Sequence, residues 1–531
     1  MKKTVLKSLL KPETYGKDVK NVRLIQTHTS WVFLTGKYAY KIKKPVFFGF
    51  LDYTTLDARK FFCEEELRLN RRLSPEIYLA VVPIVERTNE SGNTTSNISL
   101  GGKGNVIEYA VKMRELPQDK LMTELVKKDG VSYAEIEQIA KIVADFHQSA
   151  ENDPTINQFG KMETIKFNWD ENFAQTEEFI GRTISRPAFH RIKKTIYKFM
   201  LDNFDLFEIR IEENKIKQGH GDLHSKNIFI ADKIHIFDGI EFNQRFSCCD
   251  VASEVAFLAM DLDYFGKTNF ANFFIERYLQ YTKDYELLKL LDFYKCYRAY
   301  VRGKVTSFNL NDPGMSTKDK RIASETARHY FALAARYGQN LVTKPKLIVM
   351  IGLPGVGKTY FALKLAEKIN GYLLRSDIIR KELMNIPLSQ HHYTGYGSGI
   401  YTGNISALTY DEMYKRTRLF LAQGKTCILD ATFSLVKARK AAERIAQEFK
   451  VPCLMVHCFC PDQIVFKRMA KRAREFDFSD ANPEVYKRMK KNFDPVPLSK
   501  NVIKVDTSRP LKPYIKKIEA KLKVRSHKEN R

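Results

Sequence analysis

The sequence lacks any stretch approaching the roughly 18 uninterrupted apolar residues of a membrane-spanning helix, so no membrane partner is expected. It also lacks a proper secretory signal. The start, MKKTVLKSLLKPE, is basic, but Lys7 and Lys11 interrupt the apolar run. Cysteine pairing is missing too. The 8 cysteines are scattered; none forms C-x-x-C and none stands at zinc-ligand spacing from histidine. Reduced structural thiols in a cytoplasmic protein are the expectation, with Cys458 and Cys460 of the strand-like CFC read as packing. Acidic residues are in deficit, 62 Asp and Glu against 88 Lys and Arg, leaving a net charge of +26. That balance fits either a lysine-rich solvated surface or anionic partners such as nucleotides, phosphorylated metabolites, nucleic acid or an acidic membrane surface. No internal repeat is visible.

What is present is enough for packed cores: 44% hydrophobic and 12% aromatic residues. At 531 residues the chain exceeds what one core serves, so two or three domains are expected. The grammar changes partway along. Early on, SWVFL and YAYKIKK read as short strands, LDARKFFCEEELRLNRRL as a helix, and YLAVVPIVE and VIEYAVKMREL as strands. The polar, glycine-rich RTNESGNTTSNISLGGKGN between the last two reads as a loop or hairpin tip. Helical patterns then dominate to about Arg336, and YGQNLVTKP (Tyr337 to Pro345) reads as a polar break. Beyond it, KLIVMI, YLLRSD, TCILDAT and CLMVHCFC alternate with helical patterns, the mark of a parallel α/β sheet. The expected division is a domain over 1–336, a linker over 337–345, a second domain over 346–525 and a basic tail over 526–531.

Two phosphate-handling signatures stand in these two parts. In the first, His220-Gly221-Asp222 followed by Asn227 fits the H-x-D-x-x-x-x-N loop of protein-kinase-like enzymes. Ile228 to Ile230 form one strand, Ala231-Asp232 a tight turn, and Ile234 to Phe237 the returning strand. Antiparallel pairing brings Asn227 and Asp238 to the same end of that hairpin. An amide oxygen and a carboxylate then converge, as Mg²⁺ with nucleotide phosphates requires. Asp222 is placed to accept the proton of an attacking hydroxyl.

HGDLHSKN, with His224 as the second histidine and Asp238-Gly239 after the hairpin, resembles the aminoglycoside phosphotransferase-like (choline-kinase-like) family over roughly residues 20–335. The resemblance implies an α+β protein-kinase-like fold, ATP as donor, Asp222 as catalytic base, and Asn227 and Asp238 as magnesium ligands. It also implies a strand lysine, a helical glutamate and an adenine-binding hinge. Lys41 is the chosen lysine, with Lys43 on the same strand face as competitor. Glu66 is the chosen partner ahead of Glu65 and Glu64, and Met113 to Leu116 the hinge. THTSWVF would cover the nucleotide without glycines, through Thr29, Ser30 and backbone. Arg298 and Arg302 lie on one helix face suited to an anionic acceptor, while Glu254, Asp261 and Asp263 are candidates for an acidic pocket.

In the second part, GLPGVGKT is a full P-loop, Gly352-x4-Gly357-Lys358-Thr359, between a buried-type strand and a helix. Its backbone N–H groups would cradle phosphates, Pro354 and Gly355 shape the loop, Lys358 reaches the β/γ oxygens, and Thr359 binds Mg²⁺. Asp430 ends a later apolar strand as a Walker B carboxylate would. Asp377 and Arg380, in an Asp-x-x-Arg arrangement, resemble those of small P-loop kinases: polynucleotide 5′-kinases, zeta-toxin-like kinases and gluconate kinases. That resemblance implies Asp377 as general base, Arg380 as substrate grip, and Arg468 and Arg472, with Arg474 nearby, as lid arginines; Asp377 as a plain helix N-cap is the structural alternative. DFSDANPEVY fits the same branch, and HHYTGYGSGIYTGN reads as a substrate loop.

The fold expected is therefore an α+β protein-kinase-like N-terminal domain followed by an α/β P-loop domain with a helix-flanked parallel sheet. The function expected is a bifunctional ATP-dependent phosphotransferase acting on hydroxyls of small molecules, with ATP and Mg²⁺ as cofactors. The alternatives are a nucleic-acid 5′-end kinase in the second domain, or a nucleotide-sensing, toxin-like module with one active site.

Overall fold

The computed structural model describes residues 3–88, 94–388, 390, 399–472 and 483–528. The chain forms two compact units. The first comprises Met1–Val131, Gln138–Ala174 and Met200–Asp261; the second comprises Ser132–Glu137, Gln175–Phe199 and Leu262–Arg531.

The first unit is an α+β fold. Its main sheet contains β1 (Arg23–Gln26), β2 (Ser30–Leu34), β3 (Tyr38–Lys43), β4 (Tyr78–Thr88), β5 (Thr94–Leu100) and β6 (Asn105–Arg114), all antiparallel, in the order β1-β2-β3-β6-β4-β5. The segment read as a polar loop before β6 is thus largely strand: Ile98, Ser99 and Leu100 of β5 pair with Glu86, Val85 and Ile84. Backbone pairing outweighs its polar composition there. Strand alternation divides the side chains between two layers. Phe33, Tyr40, Ile42 and Ala110 meet Val5 and Leu9 of the helix Lys3–Leu9 on one face. Leu34, Ala39, Val111 and Met113 meet Cys63 of the helix Leu56–Asn70 on the other. Since Ala39 faces that second helix, so do Lys41 and Lys43.

Thr55 caps the helix Leu56–Asn70, accepting from the Ala58 N–H. Arg59 ties its first turn to the sheet through a buried ion pair with Glu108, at 2.8 Å. Further along are β7 (Ile216–Gln218), the hairpin β8 (Ile228–Ile230) and β9 (Ile234–Ile236), and β10 (Cys248–Asp250), which pairs with β7. Arg210 and Asp250, both fully buried, form a two-pronged pair at 2.7 and 2.8 Å that anchors β10.

The second unit contains the helices Thr268–Thr282, Leu287–Phe308 and Thr317–Leu341, followed by a parallel sheet. Its strands are β11 (Leu347–Ile351), β12 (Tyr372–Arg375), β13 (Cys427–Asp430), β14 (Cys453–Phe459) and β15 (Val502–Asp506), ordered β12-β13-β11-β14-β15. All five residues of β11 are buried, as a strand covered on both faces must be. The chain reverses its direction of growth across the sheet at β11, and such switch points hold the ligand crevices of open α/β sheets. The polar break expected over Tyr337 to Pro345 is helical through Leu341, with Tyr337 fully buried. The polar residues there occupy the outer face of an amphipathic helix rather than a linker.

These helices are joined to the P-loop sheet by buried polar contacts. Asp292 accepts from Asn340 (3.1 Å), Asn370 (2.9 Å) and Lys425. Asn272 donates to the Gly371 carbonyl at 2.9 Å, and Arg336 to the Glu367 carbonyl at 3.1 Å. Arg416 bonds Glu276 (2.6 Å) and Glu382 (2.7 Å). No described helix is long and apolar enough to cross a membrane.

Candidate active sites

In the first unit, β3 and the helix Leu56–Asn70 bring Lys41 and Glu66 together at 2.8 Å. Lys41 also reaches Asp238 at 2.5 Å. Lys43, on the same strand face, takes the other oxygen of Glu66 at 2.8 Å and contacts Glu241 and Tyr53. Geometry sets the two lysines apart. Both hold Glu66, but Lys43 is sealed in, whereas Lys41 is partly open and borders Asp238. Glu65 and Glu64 turn outward to Arg68 and Lys60. Burial would raise the Glu66 carboxyl, but the two ammonium groups outweigh it and hold its pKa at about 2. Burial likewise opposes charge on Lys41, while Asp238 and Glu66 more than offset it and hold the ammonium above the ordinary lysine range.

The hairpin brings Asn227 and Asp238 to one end, as its pairing requires: the Phe237 N–H donates to the Asn227 carbonyl at 3.0 Å, one residue before Asp238. Asn227 donates its side-chain amide to the Asp222 carbonyl (2.9 Å) and carboxylate (3.1 Å). His224 Nε2 lies 3.2 Å from the same carboxylate. Asp238 has a left-handed backbone, φ +63°, and its N–H donates to Tyr78 Oη at 3.0 Å. The next residue, Gly239, donates to Asn70. His220 is buried, its ring 2.9 Å from the Phe237 carbonyl, and burial lowers its pKa. Met113 pairs opposite Ala39 and is buried; β6 ends one residue later at Arg114, with Leu116 just beyond the strand. The Thr27–Ser30 turn closes on itself, with Thr27 Oγ1 accepting from the Ser30 N–H at 2.9 Å.

Three acidic residues read as pocket candidates do other work. Glu254 is buried under the His220–Asn227 loop, where it accepts from the Gly221 N–H and lies 2.8 Å from His147 Nε2. It occupies the space that Gly219 leaves; a Cβ there would lie 2.5 Å from its carboxylate. Burial would raise its pKa, but His147, His220 and the Gly221 N–H outweigh that and hold it at about 2. Asp261 accepts from the Ser225 N–H at 2.9 Å. Asp263 belongs to the second unit, where it pairs with Lys295 (2.9 Å) and Tyr337 (2.6 Å). Arg298 lies over the Tyr297 ring, 5.8 Å from its centre, and Arg302 over the Tyr330 ring at 5.6 Å.

In the second unit, the P-loop follows β11 and opens the helix Lys358–Ile369. Gly352 (φ +145°), Gly355 (φ +76°) and Gly357 (φ +90°) all have positive φ. At Gly352 the backbone also passes so close to β14 that a Cβ would lie 2.3 Å from the Cys458 carbonyl oxygen. Lys358 donates to the Leu353 carbonyl at 2.9 Å, folding over the loop it serves. Thr359 Oγ1 donates to Asp430 at 2.6 Å, and Arg375 Nε lies 3.7 Å from the same carboxylate. Burial raises the Asp430 pKa against the opposing pull of Arg375 and Lys358.

Asp377 and Arg380 sit in the helix Ser376–Leu383 and pair at 3.0 Å. Arg375 occupies the N-cap position, so Asp377 is not the cap. Arg380 also lies over the Tyr401 ring, 4.6 Å from its centre. Arg468 is held at the loop itself, donating to the Val356 carbonyl (3.2 Å) and to Thr507 Oγ1 (3.0 Å) and carbonyl (2.7 Å). The side chain of Arg472, together with Arg474, His391, His392 and most of DFSDANPEVY, lies outside the described residues. A cavity of about 880 Å³ opens beside Gly357, with Lys364, Lys368, Arg509, Lys512 and Lys516 on its walls.

Both sites present an oxygen pair, Asp238 with Asn227 and Thr359 with Asp430. Among the described residues no group of three or more His, Cys, Asp or Glu side chains is arranged for a metal. Two protein oxygens beside a phosphate-binding position suit Mg²⁺, which keeps waters and phosphate oxygens as its other ligands. Four contributors were missed in the sequence: Glu241, Tyr53, Arg375 and Thr507. Glu241, three residues after Asp238, and Arg375, two before Asp377, were within reach of the motifs; Tyr53 and Thr507 carried no local signal.

Residues 347–496 match the family model described as an AAA domain. The chain is 28% identical over 461 residues to uncharacterized proteins of Mycobacterium tuberculosis (strain ATCC 25618 / H37Rv) and Mycobacterium bovis, covering 87% of this chain and 88% of each of those. Among solved structures, a choline/ethanolamine kinase family protein from Mesorhizobium loti covers 63% of this chain and 99% of its own, at 9% identity and a TM-score of 0.37. A spectinomycin phosphotransferase in complex with ADP and spectinomycin covers 60% and 94%, at 14% identity and 0.34. A gluconokinase from Sinorhizobium meliloti covers 35% and 97%, at 17% identity and 0.26. The C-terminal part of the chain is a P-loop domain, and the first unit is an α+β fold.

Proposed function

We propose that this protein is a bifunctional ATP-dependent phosphotransferase, with one phosphoryl-transfer centre around Asp222 and another around the P-loop. The chain is a kinase; each centre moves the γ-phosphate of ATP to a hydroxyl of a small molecule. The observation that carries this reading is the separate completeness of the two sites. Lys41 is held by Glu66 beside Asp238 and Asn227. Independently, Lys358 lies over a P-loop whose Thr359 bonds Asp430.

In the first centre, Lys41 would hold the α- and β-phosphates. Asp222, oriented by Asn227 and His224, would accept the proton of the incoming hydroxyl. In the second, the P-loop N–H groups and Lys358 would hold the donor phosphates, Asp377 would take the acceptor proton, and Arg380 would grip the acceptor. Asp238 with Asn227, and Thr359 with Asp430, would hold Mg²⁺. Bound there, the ion would supply charge neutralisation to the phosphate oxygens. Phosphoryl transfer is mostly positioning and charge stabilisation, and both sites supply cations on fixed elements for it.

The basic cavity beside Gly357 also favours a second reading, a nucleic-acid 5′-end kinase. Salt separates the two, since affinity for a polyanion falls steeply with ionic strength and that for a metabolite much less. The reading as a whole is tested by following radiolabelled γ-phosphate with wild type, Asp222→Ala and Lys358→Ala. Each substitution should remove one part of the transfer or ATP hydrolysis; if neither reduces it, the kinase reading is wrong.

A further inference from the structure

The loop between β3 and the helix Leu56–Asn70 exposes three phenylalanines within four residues: Phe47 at 65%, Phe48 at 45% and Phe50 at 45%. Exposed aromatic surface of this density marks a place where something binds. The rings are ordered. Phe48 stacks on Phe50 with centres 6.2 Å apart, and Phe50 meets Phe242 at 6.0 Å and Phe246 at 5.8 Å. Asn243 donates to the Phe50 carbonyl at 3.0 Å, fastening the two aromatic segments together.

This wall adjoins the catalytic loop. The carbonyl oxygen of Phe246 would lie 2.8 Å from a Cβ on Gly221, the residue before Asp222. Phe242 follows Glu241, which holds Lys43 and Tyr53. The charges nearby are engaged: Arg245 lies over Phe246 (4.9 Å) and Phe167 (5.0 Å) and pairs with Glu171 at 2.9 Å. Its Nη1 has no hydrogen-bond partner among the described residues. Glu254 and Asp261, which a polycationic acceptor would need, are buried in the support of the loop.

We propose that the wall of Phe48, Phe50, Phe242 and Phe246 is the acceptor subsite of the first centre. Its acceptor is a neutral hydroxyl compound bearing an aromatic or apolar ring, with the orphan Arg245 N–H meeting one of its oxygens. This rests on the reading of Asp222 as the proton acceptor. In the transfer itself, the acceptor oxygen forms a bond to the γ-phosphorus, the bond from that phosphorus to the β–γ bridging oxygen breaks, ADP leaves, and the hydroxyl proton passes to Asp222.

The test uses the full chain with Lys358→Ala to silence the P-loop centre. Phenyl β-glucoside, methyl β-glucoside and the polycation kanamycin serve as probes, with binding read by saturation-transfer NMR and calorimetry. The phenyl compound should bind about tenfold more tightly than the methyl compound. Phe50→Ala and Phe242→Ala should each abolish that difference with melting temperature unchanged, and Phe48→Ala, at an exposed ring, guards against misfolding of either. Equal binding of the two glucosides, tighter binding of kanamycin, or a preference that survives in all three phenylalanine variants would overturn the proposal. Residual ATP turnover in the same chain is read separately with Asp222→Ala. Its persistence would sink the phosphotransfer reading, whatever the ring preference.

Discussion

Replacing Glu254 by Gln keeps its size and one acceptor oxygen but removes the charge beneath the catalytic loop. In the folded chain His147, His220 and the Gly221 N–H hold this carboxyl at about 2, well below the usual carboxylate range, against the opposing effect of burial. A group whose folded pKa is depressed contributes stability that is present above its unfolded pKa and lost as pH falls through the folded one. At about pH 7 that contribution is roughly 3 kcal/mol, the free energy of holding the carboxyl that far below its ordinary range. At about pH 4 the unfolded chain is already largely protonated, and the contribution drops by roughly 1 kcal/mol. Both tryptophans, Trp31 and Trp169, lie in the first unit, so denaturant unfolding followed by tryptophan fluorescence reports on that unit alone. Glu254→Gln should lower its stability by roughly 3 kcal/mol near neutrality, with a smaller loss in acid. The Gly221 N–H would also lose its charged acceptor, so turnover at the Asp222 centre should fall with stability. A loss of equal size at both pH values, or under about 1 kcal/mol near pH 7, would refute an ionised, loop-bracing Glu254.

Lys41 and Lys43 should separate by phenotype. Lys41→Met should abolish turnover at the first centre with little loss of stability, whereas Lys43→Met strands Glu241 and should cost about 3–5 kcal/mol in the same fluorescence assay. Gly352→Ala forces a Cβ against the Cys458 carbonyl at an unfavourable φ, so nucleotide affinity at the P-loop should fall at least about tenfold while the first centre is unaffected, as calorimetry on an Asp222→Ala background would show. Asp430→Asn in that background should lower ATP turnover on the order of a hundredfold, and chelation of Mg²⁺ should silence both centres together.

The geometry of the two motifs was legible in the sequence because it is local. The hairpin that brings Asn227 and Asp238 together is a few residues long, and the P-loop is contiguous. Glu66 was separable from Glu64 and Glu65 because only one of three adjacent helix positions faces β3. What was not legible depends on distant chain. Lys43 and Lys41 are equivalent by strand period, and the partners that tertiary folding brings in, Asp238 to Lys41 and Glu241 and Tyr53 to Lys43, distinguish them. Glu254 reads as a pocket acid in a helical pattern, yet Gly219 and Gly221 leave it a place under the catalytic loop. The segment Tyr337–Leu341 reads as a break because its polar residues dominate; buried Tyr337 holds it in the helix. Arg468 reads as a lid arginine, but what fixes it at the P-loop is Thr507, far along the chain.

The most direct test of two independent phosphotransfer centres is the stoichiometry of nucleotide binding. Equilibrium dialysis of the full chain with a radiolabelled, non-hydrolysable ATP analogue and Mg²⁺ should give two nucleotides per chain. Lys358→Ala and Lys41→Ala should each retain one, and the double variant none. A single nucleotide on the wild-type chain, or a Lys41→Ala chain that still binds two, would contradict it.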